Sequence, residues 1–108
     1  MNTTKSKVFY DLLEDWSEKI DSFESGYNYS CFELDYDMLI RDEIQELLEN
    51  KEFMQSINKL YLSKLNNLDN SFKKLVIFKS DEDKSLPFWK RKFRLKNAGP
   101  DYLESLDL

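Results

Sequence analysis

Seven apolar residues between positions 8 and 23 constrain this chain more than any other feature. Val8, Phe9, Leu12, Leu13, Trp16, Ile20 and Phe23 return at steps of three and four. Residues so spaced are neighbours on one side of an α-helix. A helix with so wide an apolar stripe is stable only when another layer covers it. Its opposite side carries Asp11, Glu14, Asp15, Glu18 and Asp21, which belong in water. Thr3, Thr4 or Ser6 can cap its start. Gly26, after "ES", suits the left-handed residue that ends a helix.

The covering layers are expected to be helical as well. The chain has only two glycines and two prolines, too few for the closely spaced turns of an all-β domain. A second helix is expected over about 37–49, capped by Asp35 or Asp37, with Ile40, Ile44, Leu47, Leu48 and Met38 facing inward. Asn50 and Lys51 suit a break. A third helix is expected from about 52 to 75, on Phe53, Ile57, Leu60, Tyr61, Leu65, Leu68, Phe72 and Leu75. The heptad-like seam from Leu65 suits packing within the bundle and leaves a homodimer open. "NNLDN" at 66–70 is poor in helix formers and predicts a bend. "LVIF" at 75–78 could equally begin a strand, and "KSDEDKS" at 79–85 reads as a solvated loop. Pro100 fits the first position of a short last helix, Asp101–Leu106.

Two segments have a different rhythm. In 32–38, Phe32, Leu34, Tyr36 and Met38 alternate with Glu33, Asp35 and Asp37. Alternation is the mark of an extended segment with one buried face. "LPFWKRKFRLK" at 86–96 brings five positive charges and three aromatics into a chain of net charge −5. After Pro87 it also alternates. An antiparallel pairing of the two would set Lys90, Lys92 and Arg94 against Glu33, Asp35 and Asp37, each opposite-charge pair contributing roughly 0.2–1 kcal/mol. A helix over 86–97, capped by Ser85 and ended by Gly99, is the competing form. The fold class expected is therefore mainly α: a small three-helix bundle with a C-terminal extended arm, room for a minor two-stranded β ribbon, and a short terminal helix. All 108 residues are read as a single helical domain, the usual size for one core.

Several chemistries lack their residues. There is no histidine, which removes the usual general base and the commonest zinc ligand. Cys31 is alone, so no internal disulfide forms, and a reducing compartment fits. Glu33-x-Asp35-x-Asp37 imitates the opening of a calcium loop. The imitation fails at Met38, where glycine is required, and at Ile44, where a bidentate glutamate is required. The two glycines are isolated, so there is no phosphate-cradling loop. No cofactor, no metal and no enzymatic activity are expected. The opening residues show no signal-peptide core, and the longest purely apolar run is Leu75–Phe78. No membrane contact and a cytoplasmic location are the expectation.

Charge then suggests the function. Residues 1–50 hold 13 acids against 4 bases, and residues 51–80 hold 2 acids against 6 bases. An acidic helical face speeds the capture of basic partners and discriminates among them. The function expected is a small acidic intracellular protein-binding module, with an inhibitor or immunity-type role fitting the charge. Its partner-binding residues would be Asp11, Glu14, Asp15, Glu18, Asp42, Glu43 and Glu46. Tyr27, Tyr29 and Tyr36 could add contact anchors. The alternative is a nucleic-acid-associated regulator using the basic aromatic segment 88–96, through Trp89, Lys90, Arg91, Lys92, Arg94 and Lys96. The sequence pI of about 4.8 disfavours nucleic acid.

Overall fold

The computed structural model describes residues 3–79 and 85–106, with side chains from Lys5 onward. The long helix α1 spans Thr3–Ser25. Phe9, Leu13, Trp16 and Phe23 on its stripe are wholly buried. Ser6 lies inside the helix and is not its cap, while the side chains of Thr3 and Thr4 lie outside the described residues. Gly26 ends the helix at φ 109°, a conformation that a residue with a Cβ adopts only at a cost.

The next segment departs from the alternating reading. Residues Cys31–Asp37 form a helix, α2, followed after Met38 by α3, Leu39–Leu48. The hydroxyl of Ser30 accepts a hydrogen bond from the Glu33 N–H at 3.2 Å, the N-cap arrangement. Ser30 and Glu33 also carry the spacing of a capping box, which outweighs the period-two pattern. Leu34 and Met38, four apart, face inward, while Phe32 and Tyr36 stay exposed. Neither Asp35 nor Asp37 caps the second of these helices. Met38, itself helical in backbone, joins the two.

The expected third helix is divided. α4 spans Lys51–Ser56 and α5 spans Lys59–Leu75. Each has its own asparagine cap: Asn50 accepts from the Phe53 N–H at 2.8 Å, and Asn58 from the Leu60 N–H at 2.9 Å. The second cap resets the helical phase, so Leu60 points outward and is 75% exposed. The helix is not interrupted at 66–70: α5 continues through those residues. Leu65 and Phe72 of the heptad-like seam are buried in the core of the same chain, with Leu68 and Leu75 packed beside them.

A two-stranded antiparallel ribbon is present, with a different partner from the one expected. β1, Val76–Phe78, pairs with β2, Phe93–Leu95, in the register Val76 to Leu95, Ile77 to Arg94 and Phe78 to Phe93. Segment 32–38 cannot supply that edge because it is helical. Residues 86–97 are neither one helix nor one strand: Phe88–Lys90 make a single 3-10 turn before β2 begins. The loop residues 80–84 lie outside the described residues. The last helix, α6, spans Pro100–Ser105. Its Asp101 N–H is capped by the Asn28 side chain at 3.0 Å. A Cβ on Gly99 would stand 2.3 Å from that same Asn28 oxygen, so only glycine admits the approach. The Cys31 N–H donates to the Ser105 hydroxyl at 2.8 Å, and the Leu95 N–H to the Tyr102 hydroxyl at 3.2 Å. These bonds tie α6 to α2 and to the ribbon.

α1 packs between α3 and α5. Phe72 of α5 links the layers: its ring lies 5.4 Å from Trp16, 6.2 Å from Phe23 and 5.2 Å from Phe93. Beside it is a buried charge pair. Arg41 of α3 donates to both carboxylate oxygens of Asp69 of α5, at 3.0 and 2.9 Å, and the Trp16 indole N–H donates to the same carboxylate at 3.1 Å. Arg41 is 4% exposed and Asp69 8%.

Breaking one side of a buried pair leaves an uncompensated charge, which costs about 3–5 kcal/mol. Arg41→Leu should lose about that much stability in urea unfolding. Adding Asp69→Asn should restore part of it. The amide oxygen still accepts from Trp16, and no carboxylate remains buried. A double variant less stable than Arg41→Leu would refute this account.

Candidate functional site

Arg41 also organises the surface. Its guanidinium lies 4.1 Å from the centre of the Trp89 ring and 5.8 Å from that of Phe88. Cation–ring contacts of this kind contribute about 0.5–2 kcal/mol, more as they are desolvated. The Trp89 indole N–H donates to Asp42 at 2.7 Å, and Lys90 lies 3.6 Å from the same carboxylate. Two adjacent residues of α3 thus hold the arm, one through a ring face and one through charge.

Beside this anchor lies an open cleft of about 590 Å³ between α2–α3 and the ribbon. Its walls differ in charge. The helical wall brings Asp35 and Asp42, and the ribbon wall brings Lys79, Lys92 and Arg94. Leu34, Met38, Trp89 and Phe93 give it apolar lining. This is a geometry for holding an extended or helical segment. Among the described residues no three His, Cys, Asp or Glu side chains converge closely enough to hold a metal ion. Glu33, Asp35 and Asp37 lie on a helix, not on a loop.

The residues expected to bind a partner are only partly brought together. Asp42 and Glu46 line one hollow on α3 with Trp89 and Lys90, and Glu43 is exposed on the same helix. Asp42, however, is occupied by the arm. Asp11, Glu14, Asp15 and Glu18 are on α1, away from that hollow. Asp11 pairs with Lys7 at 3.2 Å, and Glu14 pairs with Lys64 of α5. Asp15 and Glu18 are exposed, with no ion pair among the described residues. In the basic segment, Trp89 and Lys90 are engaged as described, and Arg91 donates to the Leu86 carbonyl at 2.8 Å. Lys92, Arg94 and Lys96 are exposed. None of the three meets Glu33, Asp35 or Asp37 in an ion pair, because those acids went into a helix and the ribbon took another partner.

Arg41, Asp69 and Lys79 were not singled out in the sequence. The first two carry a signal: Asp69 falls between Leu65 and Phe72 at inward spacing, and Arg41 stands three residues before Ile44. One opposite charge on each of two apolar stripes marks a buried pair. Of the three tyrosines, Tyr29 and Tyr36 are 63% and 72% exposed, while Tyr27 is buried. The Tyr27 hydroxyl donates to Asp37 at 2.7 Å, and Lys19 reaches the other oxygen of that carboxylate at 3.3 Å.

Comparison with protein families, with characterised proteins and with solved structures finds no match to this chain. Among the described residues no helix is long and apolar enough to cross a membrane.

The tyrosines set an alkaline limit. Burial and then the Asp37 carboxylate push the Tyr27 hydroxyl far above its usual range, and burial also raises Tyr102. An unfolded tyrosine ionises near about pH 10. Above that pH the unfolded chain releases protons that the folded chain keeps, so stability falls as pH rises. Urea midpoints should therefore decline from about pH 10 upward. Tyr27→Phe should start lower at neutral pH, by roughly 1 kcal/mol for the lost hydrogen bond, and decline less steeply. Equal slopes would show that Tyr27 is not the group responsible.

Proposed function

We propose that the protein is a cytoplasmic, non-enzymatic protein-binding module that captures a basic partner through its acidic helical surface, in the manner of an inhibitor or immunity protein. The observation that carries this reading is what remains after internal pairing. Asp15, Glu18 and Asp21 on α1, Glu43 and Glu46 on α3, and Glu49 at its C-terminal end are exposed and have no ion pair among the described residues. Their charge is free to act on an approaching cation. Asp11 adds to it, since its i,i+4 pair with Lys7 is highly exposed and so weak. Glu14 and Asp42 support the scaffold more than the contact. The nucleic-acid reading keeps Lys92, Arg94 and Lys96, but its main aromatic is committed, because Trp89 is covered by Arg41 and bonded to Asp42.

The test is affinity capture from the native cell at raised ionic strength, followed by kinetics on the purified partner. A basic protein should elute in stoichiometric amount. Its association rate should fall about tenfold with Asp15→Lys/Glu18→Lys, and should fall steeply with salt. Retention on single-stranded DNA, lost when Lys92 and Arg94 are neutralised, would replace this reading with the nucleic-acid one.

A further inference from the structure

We propose that the outer ridge of α2 and the start of α3, formed by Phe32, Tyr36 and Leu39, is the anchor onto which a basic amphipathic helix docks. This rests on the reading just given, that the partner is basic, and adds how its apolar side is held. The alternation in 32–38 has a different meaning on a helix than on a strand. On a strand, every second residue falls on one face; on a helix, every second residue falls alternately on opposite sides. Leu34 and Met38 take the inner side, at 3% and 6% exposure. Phe32 and Tyr36 take the outer side, at 64% and 72%, and Leu39, at 48%, continues their line. A helix that is apolar on two sides is one suited to packing on two sides. The core covers the first. Among the described residues nothing covers the second. Exposed apolar residues scattered singly are ordinary. Three in line at i, i+4 and i+7 have the spacing by which a helix is recognised along its face.

Charge decides the occupant. Glu33 and Asp35, both exposed, flank Phe32 and Tyr36 on either side, and exposed Glu43 stands one turn beyond Leu39. Residues 20–50 hold nine acids and one base, Arg41, which is buried on Asp69. Residues 1–2, 80–84 and 107–108, outside the described residues, hold four acids and one lysine, so they add negative charge to the chain. The ribbon's cations lie to one side. Lys79, Lys92 and Arg94 share the cleft with Asp35 and Leu39, but the lining of that cleft includes none of Phe32, Tyr36, Glu33 and Glu43. A helix with apolar side chains at steps of three and four, and lysine or arginine beside them, matches both the ridge and its flanks. A second copy of the chain, docked isologously, would set these acids against themselves. An anionic membrane would repel them, and helices that lie on membranes carry Lys and Arg on their polar side instead.

The probe is a synthetic peptide of two Leu-Lys-Lys-Leu-Leu-Lys-Leu repeats, whose leucines share one side of a helix. The comparison peptide has the same composition in strictly alternating order, and both are followed by binding kinetics on the whole chain. The helical peptide should bind more tightly. Phe32→Ala/Tyr36→Ala should weaken it at least about tenfold, through faster dissociation. Both side chains are exposed and alanine favours the helix, so the melting temperature should hold. Asp15→Lys/Glu18→Lys should slow association and leave dissociation as it was. Val8→Ala/Leu60→Ala, which trims exposed apolar groups elsewhere, should leave affinity unchanged. Equal affinity for the two peptides, or dissociation indifferent to Phe32→Ala/Tyr36→Ala, would overturn the anchor and leave acidic capture standing. An equal loss with Val8→Ala/Leu60→Ala would do the same. Binding of neither peptide would overturn the anchor and the basic partner together. Self-association in sedimentation that disappears with Phe32→Ala/Tyr36→Ala would also overturn the proposal, since the occupant would then be a second copy.

Discussion

One buried carboxylate, Asp69, joins three of the helical layers and, through Arg41, the arm. It accepts from Trp16 of α1 and from Arg41 of α3 while standing on α5. Arg41 in turn places its guanidinium over Trp89 and donates to Gln45 at 3.2 Å. Arginine suits this role because its planar fork matches a carboxylate on one edge and still stacks on a ring. A hydrophobic pair of similar size could hold the helices as tightly. What it could not do is fix their rotation. Hydrogen bonds are directional where apolar contacts are not, so the pair sets which face of α3 meets α5. It also sets which face is left for the arm.

That dependence explains what could be read from the sequence. The stripe of α1, its glycine stop and the short α6 follow from local spacing and caps, and they stand where they were expected. The ribbon was expected too, but pairing is a choice among edges, and alternation alone does not say which edge is available. Segment 32–38 alternates, yet the Ser30 cap and the inward pair Leu34 and Met38 make it helical. The break at Ile57–Asn58 was signalled by an asparagine of the same kind as Asn50. The unbroken helix through 66–70 has the opposite cause. Asp69 and its neighbours are poor helix formers in isolation, and a tertiary ion pair overrides that preference. The acidic face of α1 was legible in full. The cleft was not, because its two walls come from segments distant in sequence whose pairing the alternation misassigned.

The two surfaces differ in how they are supported. The acids of α1 project from a helix whose buried side is the centre of the core, so their spacing is rigid and set by the helical repeat. The cations of the ribbon are positioned indirectly. β1 continues from the end of α5, and β2 is held by the Leu95 bond to Tyr102 and by the contact of Phe93 with Phe72. The ribbon's inward side, Val76, Phe78, Phe93 and Leu95, is apolar without exception. A ribbon covered on one face only must therefore turn every polar group to the other. The concentration of positive charge on its outward side is partly a consequence of how the ribbon is buried.

Burial does not explain the sign of those outward groups, since any polar residue would satisfy it. Three other lysines are relieved by a nearby acid. Lys64 meets Glu14 across helices, Lys19 meets Asp37, and Lys90 meets Asp42. The arm's first cation is neutralised at the point where the arm docks, while Lys92, Arg94 and Lys96 have no ion pair among the described residues. Trp89 separates the two regimes. On one side its ring is locked to Arg41, and through Arg41 to the core. On the other it forms part of the cleft lining. A segment entering the cleft would press on a residue whose position is already fixed by the buried ion pair. The site would then need little rearrangement to bind, and an interface that is ordered beforehand loses less entropy on association. The buried pair is thus what allows so small a domain to present a firm, charged cleft on a ribbon of three residues per strand.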